Sequence, residues 1–410
     1  MTTAMTAKGF GCSTKLSTDR IQKLDNSLLQ LIVGKVLPPS LVENEFFIKF
    51  TNELDPRYKL PSRKKLMDML SKKKEEMSEK VKEEIKGCSG VGLTHDGWTS
   101  VSTESYNTTT IHYINEKWEM KSAVLSTKKL EGSHTGERIA ETLTETKIYW
   151  GIPKIIATTD NAANERKAFE LLGWKRFGCY GHRINLIIKH ALDIPETSKV
   201  LGKGRKLVTL FHTSSSTMDL LRQKQEILLE SDKVGHKLIA DVQTRWNSSL
   251  AMLERILEQI PALMAVAVDE KISKSVKTTL KNTVYTFEET AIVERLVTLL
   301  KPFLKATEIV CGEMSPTITK VLPIIVKLSK VIVEGADDPP IIRAIKAKMQ
   351  KEIGLRLLED EELVLLGCIL NPYTKDFNFL PEKKSQAENV LRRYVSGVEV
   401  IQVKIKKGTQ

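Results

Sequence analysis

At 410 residues, with 41% hydrophobic and 28% charged residues, the chain has room for two or three domains and the makeup of a soluble globular protein. A formal net charge of +12 favours a polyanionic partner, most simply nucleic acid, without requiring one. The five cysteines are scattered, odd in number and never spaced Cys-x-x-Cys, which argues for a reducing compartment and against a disulfide framework or a structural zinc finger. The first residues lack the apolar core of a signal peptide, and no apolar run approaches the roughly 18 residues that would cross a bilayer. The expectation is an intracellular protein with no membrane contact.

Residues 1–18 are polar and read as a disordered lead. A helical N-terminal region, residues 19–90, follows. Asp19 is placed to cap a first helix with Ile21, Leu24, Leu28 and Ile32 on one face, ended by Gly34 and the Pro38-Pro39 pair. A second helix is expected from about Ser40, carrying Leu41, Phe46, Phe47 and Phe50. Pro61 and Ser62 open a long charged helix with Leu66, Met69, Leu70, Met77 and Val81 at helical spacing. Its basic residues, beginning with Arg63, Lys64 and Lys65, read as a solvated face or as a contact to DNA phosphates or a nuclear-import signal.

The pattern changes after Gly92. A short β-like lead runs into Asp96, and SYNTTTIHYI (105–114) alternates as a strand. Asn115-Glu116-Lys117 turns it back into WEMKSAVLS. Ser133 and Glu137 open a helix that runs to about Trp150, where Gly151 and Pro153 end it. KIIATTD (154–160) is a buried strand ending on Asp160, followed by a short helix from Asn164 to Leu172. This is an α/β layer with two acids at the ends of different strands. From about 190 to 335 helix follows helix, and two or three more are expected after the Asp337-Asp338-Pro339-Pro340 break.

Carboxylates on separate strand ends are what metal-dependent phosphoryl transfer requires, because their oxygens hold divalent cations that activate the nucleophile and steady the leaving oxygen. Two such acids alone are a weak signal, since strand-end Asp residues also cap turns. Trp246 is equally open. With Leu250, Leu253 and Leu257 it forms the apolar stripe of one helix, the ordinary setting of a core tryptophan.

Further motifs occur in order: THDGWTS, HTGERIAETL, TTDNAANE, CYGHRINL and TRWNSSLAMLER. LDPRYKLPSRKKL precedes them, and LLKPFLKATEIVCGEMSPTITKVLPII and LGCILNPYTKDFNFLP follow. Together they resemble the hAT superfamily of DNA transposases, in particular its BED-finger-type members and their domesticated relatives. The resemblance implies an RNase H-like core (residues 91–192), interrupted by a long α-helical insertion (193–335) and followed by a helical C-terminal segment (336–410). It implies that Asp96 and Asp160 are the first two members of an Asp-Asp-Glu triad for Mg²⁺ or Mn²⁺, and that His182 of the Cys179-x-x-His182 motif stands beside them. In the family's active members the residue matching Trp246 stacks on a flipped base, and the one matching Arg245 contacts DNA nearby. No zinc is expected, because Cys179 and His182 supply only two ligands.

The resemblance also breaks in places. The family's third acid lies in a segment like SxxSERxFS, which this sequence does not show, and the N-terminal BED finger and the C-terminal dimerisation region are not seen either. Glu308 and Glu313 match family positions that are not metal ligands. Asn371 and Tyr373 stand where relatives carry Asp and Arg. The core is therefore expected to be incomplete. The chain reads as a transposase-derived nuclear DNA-binding protein without catalytic activity, able to meet protein partners or form a homo-oligomer. An active transposase remains the alternative, with the third acid supplied by Asp376 or by a partner chain. So does a truncated gene product with no settled role.

Overall fold

The computed structural model describes residues 15–396 apart from 101, 131, 133, 313–314 and 358–360. Most of the expected disordered lead, Ser133 as a helix opener, Glu313 and the closing VEVIQVKIKKGTQ lie outside the described residues. Two compact units are distinguished. One takes residues 15–91, 113–123 and 146–154; the other takes 92–112, 124–145 and 155–396.

The first unit begins with α1 (Thr18–Gly34), α2 (Glu45–Leu54) and α3 (Arg63–Lys86). The cap of α1 is Ser17, whose Oγ accepts from Arg20 N at 3.2 Å, while Asp19 sits inside the first turn and favours the helix through its dipole. The segment expected as one helix from Ser40 divides into a 3₁₀ turn, Pro39–Glu43, and α2, because Asn44 turns extended and caps Phe46 and Phe47 N–H groups. That break leaves Phe46 and Phe50 exposed, while Leu28, Leu29, Ile32, Val42 and Leu66 form a small core. Ser62 caps α3 as expected.

Five strands form one sheet in the order β3-β2-β1-β4-β5, with β1 Val91–Thr99, β2 Ser105–Ile114, β3 Met120–Leu130, β4 Ile155–Thr159 and β5 Lys175–Gly178. β1 and β2 are antiparallel, with Asp96 opposite Thr108, and β4 runs parallel to β5. β3 starts at Met120 and not at Trp118, because Trp118 closes the hairpin turn at φ 61°, a left-handed conformation outside any strand. β5 adds a strand beyond those expected; KRFG is too short and too charged to carry a strand signature. α4 (Gly136–Trp150) links the hairpin to β4, and α5 (Ala163–Leu172) links β4 to β5, ending on Gly173 at φ 62°.

After β5 the second unit is helical: α6 (Tyr180–Leu192), α7 (Pro195–Thr213), α8 (Ser215–Leu228), α9 (Trp246–Val268), α10 (Lys274–Thr283), α11 (Phe287–Val310) and α12 (Ile318–Val331). Then come α13 (Pro340–Arg356), α14 (Glu361–Leu370) and α15 (Lys384–Ser396). One continuous apolar core runs from Ile184 on α6 to Ala387 on α15. α13 returns to pack on α6, where Glu352 meets His190 Nδ1 at 3.1 Å, Lys348 Nζ at 3.3 Å and Arg356 Nε at 2.7 Å. The architecture is thus a mixed α/β layer followed by a long helical region.

Candidate two-acid site

β1 and β4 are neighbours in the sheet, so Asp96 near the end of one and Asp160 just past the end of the other come together. Asp96 lies on the open face, while His95 before it turns into the buried face, as strand alternation requires. Burial raises the Asp96 carboxyl above its ordinary range, and the Asp160 carboxylate raises it further; His95, the Gly97 N–H and His182 oppose the rise. Asp96 therefore lies within electrostatic reach of both Asp160 and His182. His182 is carried there by the first turn of α6, directly after β5.

The loop after β4 is tightly held. Asp160 Oδ1 accepts from Ala162 N at 3.0 Å, and the Asp160 carbonyl accepts from Arg176 Nη1 at 2.9 Å. Arg176 also donates to Thr159 Oγ1 at 3.1 Å, so it braces the strand end through its backbone and hydroxyl. Gly178 is required nearby. A Cβ there would stand 2.3 Å from Asn161 Oδ1 and 2.7 Å from Arg183 Nη2. Arg183 is 1% exposed and donates to the Arg356 carbonyl at 3.0 Å, tying α6 to the end of α13. Arg176, Arg183 and the buried pair His95 and Glu165 escape a motif-based reading; only the alternation in THDG signals that His95 leaves the face of Asp96.

Two neighbouring carboxylates suit a hard divalent ion such as Mg²⁺ or Mn²⁺, which takes one or two protein oxygens and completes its shell with water and phosphate. Among the described residues, no group of three His, Cys, Asp or Glu side chains is placed to hold a metal ion. Asp376 is exposed in the turn after α14, and Glu308 is exposed and paired with Lys305 at 3.0 Å.

The other candidates lie elsewhere. Arg245 is exposed at the N-cap of α9. Trp246 is 5% exposed within the helical core, with Leu250 and Leu253 buried beside it and Leu257 packed against it. In the first unit, Lys65 Nζ lies 3.4 Å from Asp25 and Arg63 Nη1 3.9 Å from Glu43, while Lys64 is exposed.

Both acids fall in stretches shared with known proteins. The ZBED1 RNase-like domain model matches residues 94–175, and the ZBED1 RNase-like helical domain model matches residues 177–298. A maize protein named "Putative AC transposase" is 28% identical over 274 residues, 62% of this chain and 33% of the relative. The chain is a hAT-type transposase-like protein. Human zinc finger BED domain-containing protein 4 is 24% identical over 397 residues, 91% of this hAT-like chain and 32% of that protein. Human zinc finger BED domain-containing protein 6 is 22% identical over 430 residues, 93% of this chain and 41% of the relative. The hAT-like chain therefore spans about a third of the length of the first two relatives. Its sheet and helices are an RNase-like α/β core with a helical region.

Proposed function

We propose that this chain is a transposase-derived nuclear DNA-binding protein, and that the described residues alone do not cleave DNA. The observation that carries the second part is the pair of strand-end acids with no third ligand grouped with them among the described residues. In-line displacement by two cations needs carboxylates enough to hold and neutralise both ions, and Asp96 with Asp160 supply too few. A bound Mg²⁺ or Mn²⁺ would polarise a phosphate oxygen there, with Asp96 and Asp160 as its protein ligands. No zinc takes part in this reading.

Support for DNA binding comes from the charge of the chain and from its distribution. Lys271, Lys274, Lys277 and Lys281, in and just before α10, are exposed, and α10 itself carries no acid. Arg245 adds a further exposed cation, and Arg63, Lys64 and Lys65 at the start of α3 are the candidates in the first unit. No helix among the described residues is long and apolar enough to cross a membrane. The exposed Phe46, Phe50 and Leu54 of α2 suit a protein partner or a second copy.

The test pairs two measurements on the purified chain. Retention of duplex DNA should fall steeply between low and moderate salt, because each phosphate contact releases a counterion. Incubation with Mn²⁺ and terminal-inverted-repeat DNA should leave the strands intact. Nicking or hairpin formation that disappears in Asp160→Ala would instead establish the second reading, an active transposase completed by a carboxylate from outside the described residues. The intact Asp96 and Asp160 pair is what favours that alternative.

A further inference from the structure

His95 and Glu165 are 3% and 5% exposed, and His95 Nδ1 lies 2.9 Å from Glu165 Oε1. A buried ionisable pair is a poor way to fill a core, since two apolar side chains of similar volume avoid its desolvation. Its place in the chain gives it another use. His95 immediately precedes Asp96 on β1, with its ring on the opposite, buried face. Glu165 belongs to the first turn of α5, the helix that starts just after Asp160. Its carboxylate reaches across to His95, while the first turn of α5 takes other bonds: Glu165 N is met by Asn164 Oδ1 at 3.0 Å, and Ala162 N by Asp160 Oδ1. One buried hydrogen bond therefore links the residue beside the first acid to the helix that begins at the second.

The surroundings point the same way. His95 Nε2 and Glu165 Oε2 are buried without a hydrogen-bond partner, as are Oδ1 and Nδ2 of Asn107, which stands opposite Gly97 on the buried face of β2. Buried polar groups cost more than apolar packing, so a polar cluster beneath this end of the sheet is not explained by core filling.

We infer that the His95–Glu165 pair positions the two acids, locking β1 to the first turn of α5 and so fixing the separation at which Asp96 and Asp160 share a divalent cation. This rests on the reading of those acids as a cation site. Neither His95 nor Glu165 touches the cation; both act through the backbone that carries its ligands.

The experiment is Mn²⁺ titration of the full chain, following the free-ion signal by electron paramagnetic resonance, with circular dichroism as the check on folding. Glu165→Ala should weaken Mn²⁺ binding about tenfold or more, the usual effect of removing a group that orients metal ligands. Glu165→Gln keeps an oxygen that accepts from His95 Nδ1 and should retain most of the affinity. The double variant His95→Leu, Glu165→Leu keeps the volume and removes the link, so it should fold and still bind Mn²⁺ weakly. Wild-type affinity in the folded Leu pair would overturn the positioning role while leaving the cation site standing. A wild-type chain that binds no Mn²⁺, or whose binding survives Asp96→Asn, would overturn the cation reading and the positioning role together.

Discussion

Glu352 is 4% exposed on α13, and His190 of α6, Lys348 and Arg356 converge on it. Although burial by itself would raise its carboxyl, hydrogen bonds from Arg356, His190 and Lys348 overcome that and hold it down to about 2, from an ordinary 4.5. A depressed carboxylate stabilises the fold above its unfolded value, and that contribution is lost as pH falls through the folded one. Each pH unit separating the folded from the unfolded value is worth about 1.4 kcal/mol, so the clamp contributes about 3 kcal/mol at pH 7. About half of it should be gone near pH 3, and nearly all below pH 2. Glu352→Gln removes the charge at nearly constant volume and leaves Lys348, Arg356 and His190 facing an amide. Urea unfolding of wild type and variant, followed by circular dichroism at 222 nm, should show a gap of about 3 kcal/mol at pH 7 that roughly halves at pH 3. A gap that is the same at both pH values, or absent at pH 7, would refute the claim that this carboxylate's ionisation clamps α13 to α6.

Three further substitutions probe the site and its frame. Gly178→Ala forces a Cβ to 2.3 Å from Asn161 Oδ1 and should lower stability by about 1–3 kcal/mol in a thermal melt. Trp246→Ala should cost about 3–5 kcal/mol, as for other buried tryptophans; unchanged stability would show that the ring is dispensable to the core. Asp96→Asn should raise the melting temperature in metal-free buffer at neutral pH. Its carboxyl is raised in the fold, so the ionised form opposes folding above that value, and Mn²⁺ should then no longer shift the melt.

Much of this arrangement is legible from the residues because it rests on local patterns. The period-two alternation of SYNTTTIHYI and the β-branched run of KIIATTD mark β2 and β4, and the stripe Trp246, Leu250, Leu253 announces the buried face of α9. What stays hidden depends on partners distant in sequence. β5 is four residues long and is a strand only because β4 offers it an edge. Arg183 carries a surface-type side chain, yet it is buried through a carbonyl that α13 brings back 173 residues later. The His95–Glu165 contact spans 70 residues, and no periodicity encodes it. Ordered motifs lead to the acids; the groups that brace them emerge only once the chain is folded.

The strand order also governs how the site comes into being. β1, β2 and β3 are joined by short turns and can zip up early, as local hairpins do. β4 must reach β1 across the whole hairpin and α4, so its docking meets a loop-closure cost before any pairing rewards it. Asp96 thus belongs to a locally paired ribbon, and Asp160 follows a strand whose pairing closes a longer loop. The two carboxylates, which repel, meet only when that loop closes. A divalent cation between them would therefore favour the long-range β1–β4 pairing and leave the local hairpin untouched.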